Sequence, residues 1–272
     1  MRTLASALLG LAALVLATGA FCSAWLAENI VSEDGFTALA QPLGTDADFQ
    51  RDLAASLAEQ ISAQAQVPDF LSSYLAPAVT AAVQGVQGLP GYPAAWDETL
   101  RLSHAQTFDG GSGDITLDVT PLVQLVVSQA GTQLGVDLPE SEPATIVLAG
   151  GSQGQLLPTV QRAADSWPFL AAAAAVAALL SLLAARRRSV TLALLGGGML
   201  LAGALLWLGA AALPDLAARQ AYASPVAETF ATSCAVQAAA AAQAWTVPLM
   251  IGAAVVMVLG LLARAAAGAR RR

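Results

Sequence analysis

The chain has 272 residues, 56% hydrophobic and 11% charged, with a mean hydropathy of +0.62 and a net charge of −7. Soluble domains carry about a quarter charged residues. The composition therefore argues against a soluble enzyme, a disordered tail, a fibrous protein and a nucleic-acid binder. All 12 basic residues are arginine, which reads as a coding bias rather than a physical need.

The first element is Leu4 to Leu26, an uncharged run after Arg2. A bilayer core takes about 20 apolar residues in helix, so residues 1–26 are expected to form a first transmembrane helix. A basic start, an apolar run and the small residues Thr18, Gly19 and Ala20 also describe a secretory signal peptide. The length of the run, and Phe21 and Trp25 as interfacial anchors, favour a retained helix. Bulky Phe21 argues against lipid attachment at Cys22.

Residues 27–166 are long enough for one domain with its own core. Asp46 is placed to cap a helix over 48–66, where Phe49, Leu53, Leu57 and Ile61 recur every four residues. Phe70, Leu71, Tyr74, Leu75 and Val79 mark a second helix with Pro77 near its middle. Gly85 to Pro93 breaks the chain. On the next helix Trp96, Leu100 and His104 share a face, and Asp97 and Arg101 are spaced as an i, i+4 ion pair. A loop of Asp109, Gly110, Gly111, Ser112 and Gly113 precedes a strand, Asp114 to Val119. Its apolar residues alternate with Asp114, Thr116 and Asp118, expected to be a solvated face. Pro121 opens a helix to about Leu134. Thr145 to Leu148 predicts a second, more fully buried strand, with the pairing direction open. A helix from about Gln155 runs to Trp167. The expected fold is a mainly α, α+β domain with a small sheet.

Residues 167–272 predict a three-helix transmembrane region: Phe169 to Ala185, Val190 to Leu213 and Trp245 to Ala263, with a loop over 214–244. Arg2, Arg186–Arg188, Arg264 and Arg270–Arg272 flank the spans on one side. By the positive-inside rule both termini are cytoplasmic and 27–166 is extracytoplasmic. Of 19 acidic residues, 17 lie between Glu28 and Asp165, and the other two are Asp215 and Glu228. With only Arg51, Arg101 and Arg162 beside those 17, the large segment stands at −14. Trp25, Trp167 and Trp245 sit at three of the expected outer boundaries.

Trp96, Arg101 and His104 form a candidate polar-aromatic cluster, against the alternative that Trp96 packs in the core while the others bond locally. No Cys/His cluster suggests a metal, no motif suggests a cofactor, and the Asp/Gly loop lacks calcium-loop spacing. Cys22 and Cys234 are both expected in an oxidising compartment, which permits a disulfide. A helix through Cys234 would lift it roughly 16 Å above Trp245, which opposes the bridge. Small residues in the third span fit either packing within the bundle or a homodimer.

The segment Trp96 to His104 followed by the Asp114 to Val119 strand resembles uncharacterised four-span actinobacterial membrane proteins with an acidic extracytoplasmic domain. That resemblance implies no reaction. The expected function is binding or scaffolding in the cell envelope, with the lipid bilayer and an envelope protein or a second copy as partners. A transporter or permease component, and an envelope enzyme centred on Arg101 and His104, are the alternatives.

Overall fold

The computed structural model describes residues 2–64, 85, 88–109, 114–134, 143–149, 156–222 and 224–269, and the side chains within them except those of 57–64, 109, 129–134 and 268–269. The expected helix around Phe70 to Val79, the glycines of the 110–113 loop and Arg270–Arg272 lie outside the described residues, as does the side chain of Ile61. The chain divides into two compact units. The first comprises 1–30, 159–213 and 238–272; the second comprises 31–158 and 214–237.

The first unit holds α1 (Arg2–Leu26), α6 (Leu157–Asp165), α7 (Trp167–Ala184), α8 (Arg188–Ala211) and the later part of α10 (Pro225–Ala269). Four of these helices are long and apolar enough to cross a membrane, matching the four expected spans. They are apolar all round: Leu8, Val176, Leu194 and Ile251 are exposed, as lipid-facing positions are.

Close approach between them depends on small and hydroxyl residues. Ser6 Oγ donates to the Ser181 carbonyl at 2.9 Å, and Ser181 Oγ returns the bond to the Ser6 carbonyl at 2.8 Å. Ser23 and Ser166 meet at 3.4 Å, so α1 and α7 run antiparallel. Helices α8 and α10 approach backbone to backbone. A Cβ on Gly196 would stand 2.4 Å from the Met257 nitrogen, and one on Gly260 would stand 2.5 Å from the Ala193 nitrogen. Gly196, Gly198 and Gly203 of the third span therefore serve packing within this chain. Gly198 lies against Leu14 of α1. These contacts bring Arg2, Arg186, Arg187, Arg188 and Arg264 to one end of the bundle. Trp25, Trp167 and Trp245 gather at the other, where Phe21 packs edge-on to Trp245 at 6.3 Å.

The second unit is built from α2 (Glu33–Ala40), a 3₁₀ turn (Gln41–Thr45), α3 (Ala47–Gln64), α4 (Tyr92–Asp109), β1 (Ile115–Asp118), α5 (Thr120–Leu134), β2 (Thr145–Ala149), α9 (Leu213–Ala218) and the start of α10. Asp46 caps α3: its Oδ1 accepts from the Phe49 amide at 2.8 Å, satisfying a donor that the first turn leaves open. The two strands pair antiparallel, with Leu117 opposite Ile146, Asp118 opposite Thr145 and an irregularity between Ile115 and Thr116. Strand β2 is only half-buried. Ile146 and Leu148 face the core while Val147 is exposed, because one face of so small a sheet meets no second layer.

Two expectations change here. Asp118 is buried rather than solvated. It accepts from the Thr120 amide at 3.0 Å and from the Gln106 side chain, and its own amide donates to Ser103 Oγ at 2.8 Å. The expected loop at 214–244 is largely helical. Helix α10 is continuous for 45 residues and begins inside the core of the second unit. Val226 and Ala227 are buried there, Phe230 and Cys234 pack against the same core, and Thr229 Oγ1 donates to Asp52 at 2.6 Å.

Candidate functional site

Helix α4 carries the candidate cluster. Its 3.6-residue period puts Tyr92, Trp96, Leu100, Ser103 and His104 on the buried side and Arg101 on the exposed one. The fold thus places Trp96 and His104 among core side chains and turns Arg101 away from both. Arg101 pairs with Glu98, one turn back, through Nη2 to Oε1 at 2.6 Å and Nε to Oε2 at 2.9 Å, rather than with Asp97. That two-pronged bond holds the Glu98 carboxyl below its usual range and raises the Arg101 guanidinium.

His104 lies in an aromatic slot, with its ring centroid 4.6 Å from that of Phe108 and 5.3 Å from that of Phe36. It is 8% exposed, and its Nε2 has no hydrogen-bond partner. The adjoining cavity, lined also by Thr107, Thr116, Leu148 and Phe230, is about 30 Å³. That is room for about one water and no substrate.

Trp96 is built into a different feature. The 3₁₀ turn exposes its carbonyls, and three side chains satisfy them. Trp96 Nε1 donates to Gln41 O at 3.1 Å, Gln50 Nε2 to Leu43 O at 3.1 Å, and the Tyr92 hydroxyl to Gly44 O at 2.7 Å. Gly44 permits this because a Cβ there would lie 2.6 Å from the indole ring. Phe49 closes the other side of Trp96 at 5.8 Å. Burial pushes the Tyr92 phenol up to about 12, against a smaller opposing effect of Gln50. Above this pinned turn lies a surface groove of about 330 Å³, lined by Gln41, Pro42, Thr45, Tyr92, Pro93, Trp96 and Asp97. Its exposed walls are Pro42 and Pro93 over the nearly buried Tyr92 and Trp96, and its exposed polar groups are the Gln41 amide, the Thr45 hydroxyl and the Asp97 carboxylate. Such a lining suits a short peptide-like or cationic ligand held at the surface.

Trp96 is legible in the sequence, whereas its partners Gln41, Gly44 and Gln50 carry no local signal. Tyr92 was within reach, since it precedes Trp96 by one turn on the same face. Phe36 and Phe230 carry no local signal, because only the tertiary fold brings them to His104. Both cysteines are free thiols. Cys234 lies eleven residues before Trp245 on a continuous helix and packs into the second unit's core. Among the described residues, no group of three or more His, Cys, Asp or Glu side chains converges on a metal-sized site.

No family model, no curated protein and no solved structure matches this chain.

Proposed function

We propose that the chain is an integral membrane protein whose second unit lies outside the cytoplasm and binds or scaffolds a component of the cell envelope. The observation that supports binding is the groove over Trp96, whose floor is fixed by three side-chain bonds to the 3₁₀ turn. A rigid floor lowers the ordering cost of association. The slot at His104, at about 30 Å³ among the described residues, is too small for a substrate, which weighs against an enzyme centred there. The groove deeper along the spans is lined by Ala, Leu, Gly, Met, Val and Pro side chains, which offer a polar solute no ligands there and weigh against a permease.

The orientation rests on the arginine end of the bundle facing the cytoplasm. A phosphatase fused after Gln106 is expected to be active and one after Arg188 inactive; the reverse pair of results overturns the placement. A photo-crosslinking residue at Thr45, at the groove rim, is expected to capture an envelope component. The same residue at Gln124, on the exposed side of α5, is expected to capture much less. Equal capture from both positions removes the groove from the proposal.

A further inference from the structure

The first unit contains only two carboxylates, Glu28 and Asp165. Both belong to the tryptophan end, beside the Ser23 and Ser166 contact. The opposite end collects Arg2, Arg186, Arg187, Arg188 and Arg264, and among the described residues no side-chain carboxylate of this unit is within reach of them. Helix α8 also starts there, with no side chain capping its first amides, so the positive end of its dipole adds to the field. Between α1 and α8, at this end, runs a trench of about 600 Å³. Its rim carries Arg186, Arg187, Thr3 and Thr191, its floor is the buried Ser6, Gly10 and Ser181, and Leu11, Leu14, Leu194 and Leu195 form its apolar sides. The volume falls within the roughly 300–1,000 Å³ of small-molecule sites. Through Leu14 and Leu195 the trench meets a second, apolar groove of about 570 Å³ deeper along the spans. Cationic rim, hydroxyl donors and a long apolar continuation match one chemistry: an acidic headgroup joined to a hydrocarbon chain.

We propose that this trench binds an anionic glycerophospholipid, with its phosphate at Arg186 and Arg187 and one acyl chain along Leu11, Leu14, Leu194 and Leu195. The two arginines are exposed, and among the described residues no ion pair engages them. The lipid supplies the missing counter-ion and fills apolar space that helix packing leaves open.

Native mass spectrometry of the full chain in detergent tests this, with phosphatidylglycerol and phosphatidylcholine of equal chain length as probes. The wild-type protein is expected to retain one phosphatidylglycerol in clear preference to phosphatidylcholine. In the Arg186→Gln/Arg187→Gln variant that preference is expected to fall by roughly 10- to 30-fold, the scale for two arginines facing anionic lipid. Ala7→Trp, which fills the trench from an exposed position, is expected to displace the lipid while the thermal midpoint holds. Millimolar glycerol phosphate is expected not to compete. Equal retention of the two lipids, or a preference unchanged in the double variant, overturns the proposal. Competition by glycerol phosphate reassigns the site to a free phosphate, and a doubled protein mass without lipid reassigns the trench to a second copy; either overturns it as well.

Discussion

Tyr92 shows how one side chain ties the floor of a surface groove to stability. Its phenol is raised to about 12 by burial, above the ordinary value of about 10. A folded value above the unfolded one contributes stability fully present below the unfolded pKa and lost as pH rises through the folded one. The second unit is therefore expected to lose stability between about pH 10 and 12. Denaturant midpoints of the full chain across that range, compared with Tyr92→Phe, test this: the variant should show a shallower alkaline decline. Gly44→Ala drives a methyl into an indole held by both Gln41 and Phe49, and is expected to cost about 1–3 kcal/mol in unfolding. Arg101→Gln is expected to leave the denaturant midpoint essentially unchanged, because its ion pair is exposed on both sides. Periodicity alone placed Trp96 and His104 on one face. It could not tell that Arg101 would choose Glu98 over Asp97, since i+3 and i+4 spacings are both open on a helix and the rotamers decide between them.

Helix α8 and helix α10 meet where neither has a side chain to give. Gly196→Leu is expected to break this seam, since any Cβ there meets Met257 backbone. Gly252→Ala should be tolerated, because nothing lies within 4 Å of its Cβ position. Detergent melting curves of the two variants compare them directly; equal midpoints would remove the close-packed seam. The spans themselves were legible, because length and apolar content are local properties. So was the Asp46 cap, which needs only one side chain and its own backbone. Strand direction was not, because an alternating pattern is the same read parallel or antiparallel. The burial of Asp118 was also hidden. A carboxylate in strand register reads as solvent-facing until Ser103, Gln106 and Thr120 are seen to supply its donors. The start of α10 was missed as an element although Val226, Phe230 and Cys234 recur every four residues, since the surrounding alanines dilute the apolar stripe.

The whole molecule is assembled from interrupted pieces: each unit is made of segments that flank parts of the other. The closing segment of the second unit is 214–237, where Phe230 lies 5.9 Å from Phe49. Phe230→Ala is expected to destabilise that unit by about 2 kcal/mol, less than a fully enclosed phenylalanine would cost. Limited proteolysis of the full chain should then cut it faster, and an unchanged rate would mean that the segment only decorates the core. This interruption also sets a timetable for synthesis. The ribosome completes β2 some 80 residues before it reaches Phe230, a delay of roughly 4–16 s at about 5–20 residues per second. Throughout that interval α7 and α8 are being made, while Phe49 and its neighbours wait without the side chains that finally cover them. Chains arrested at residue 213 should therefore be protease-sensitive across α3 and α4, and chains extended past residue 237 should be resistant. Completion of the second unit's core therefore waits on residues 214–237, which are made only after α7 and α8.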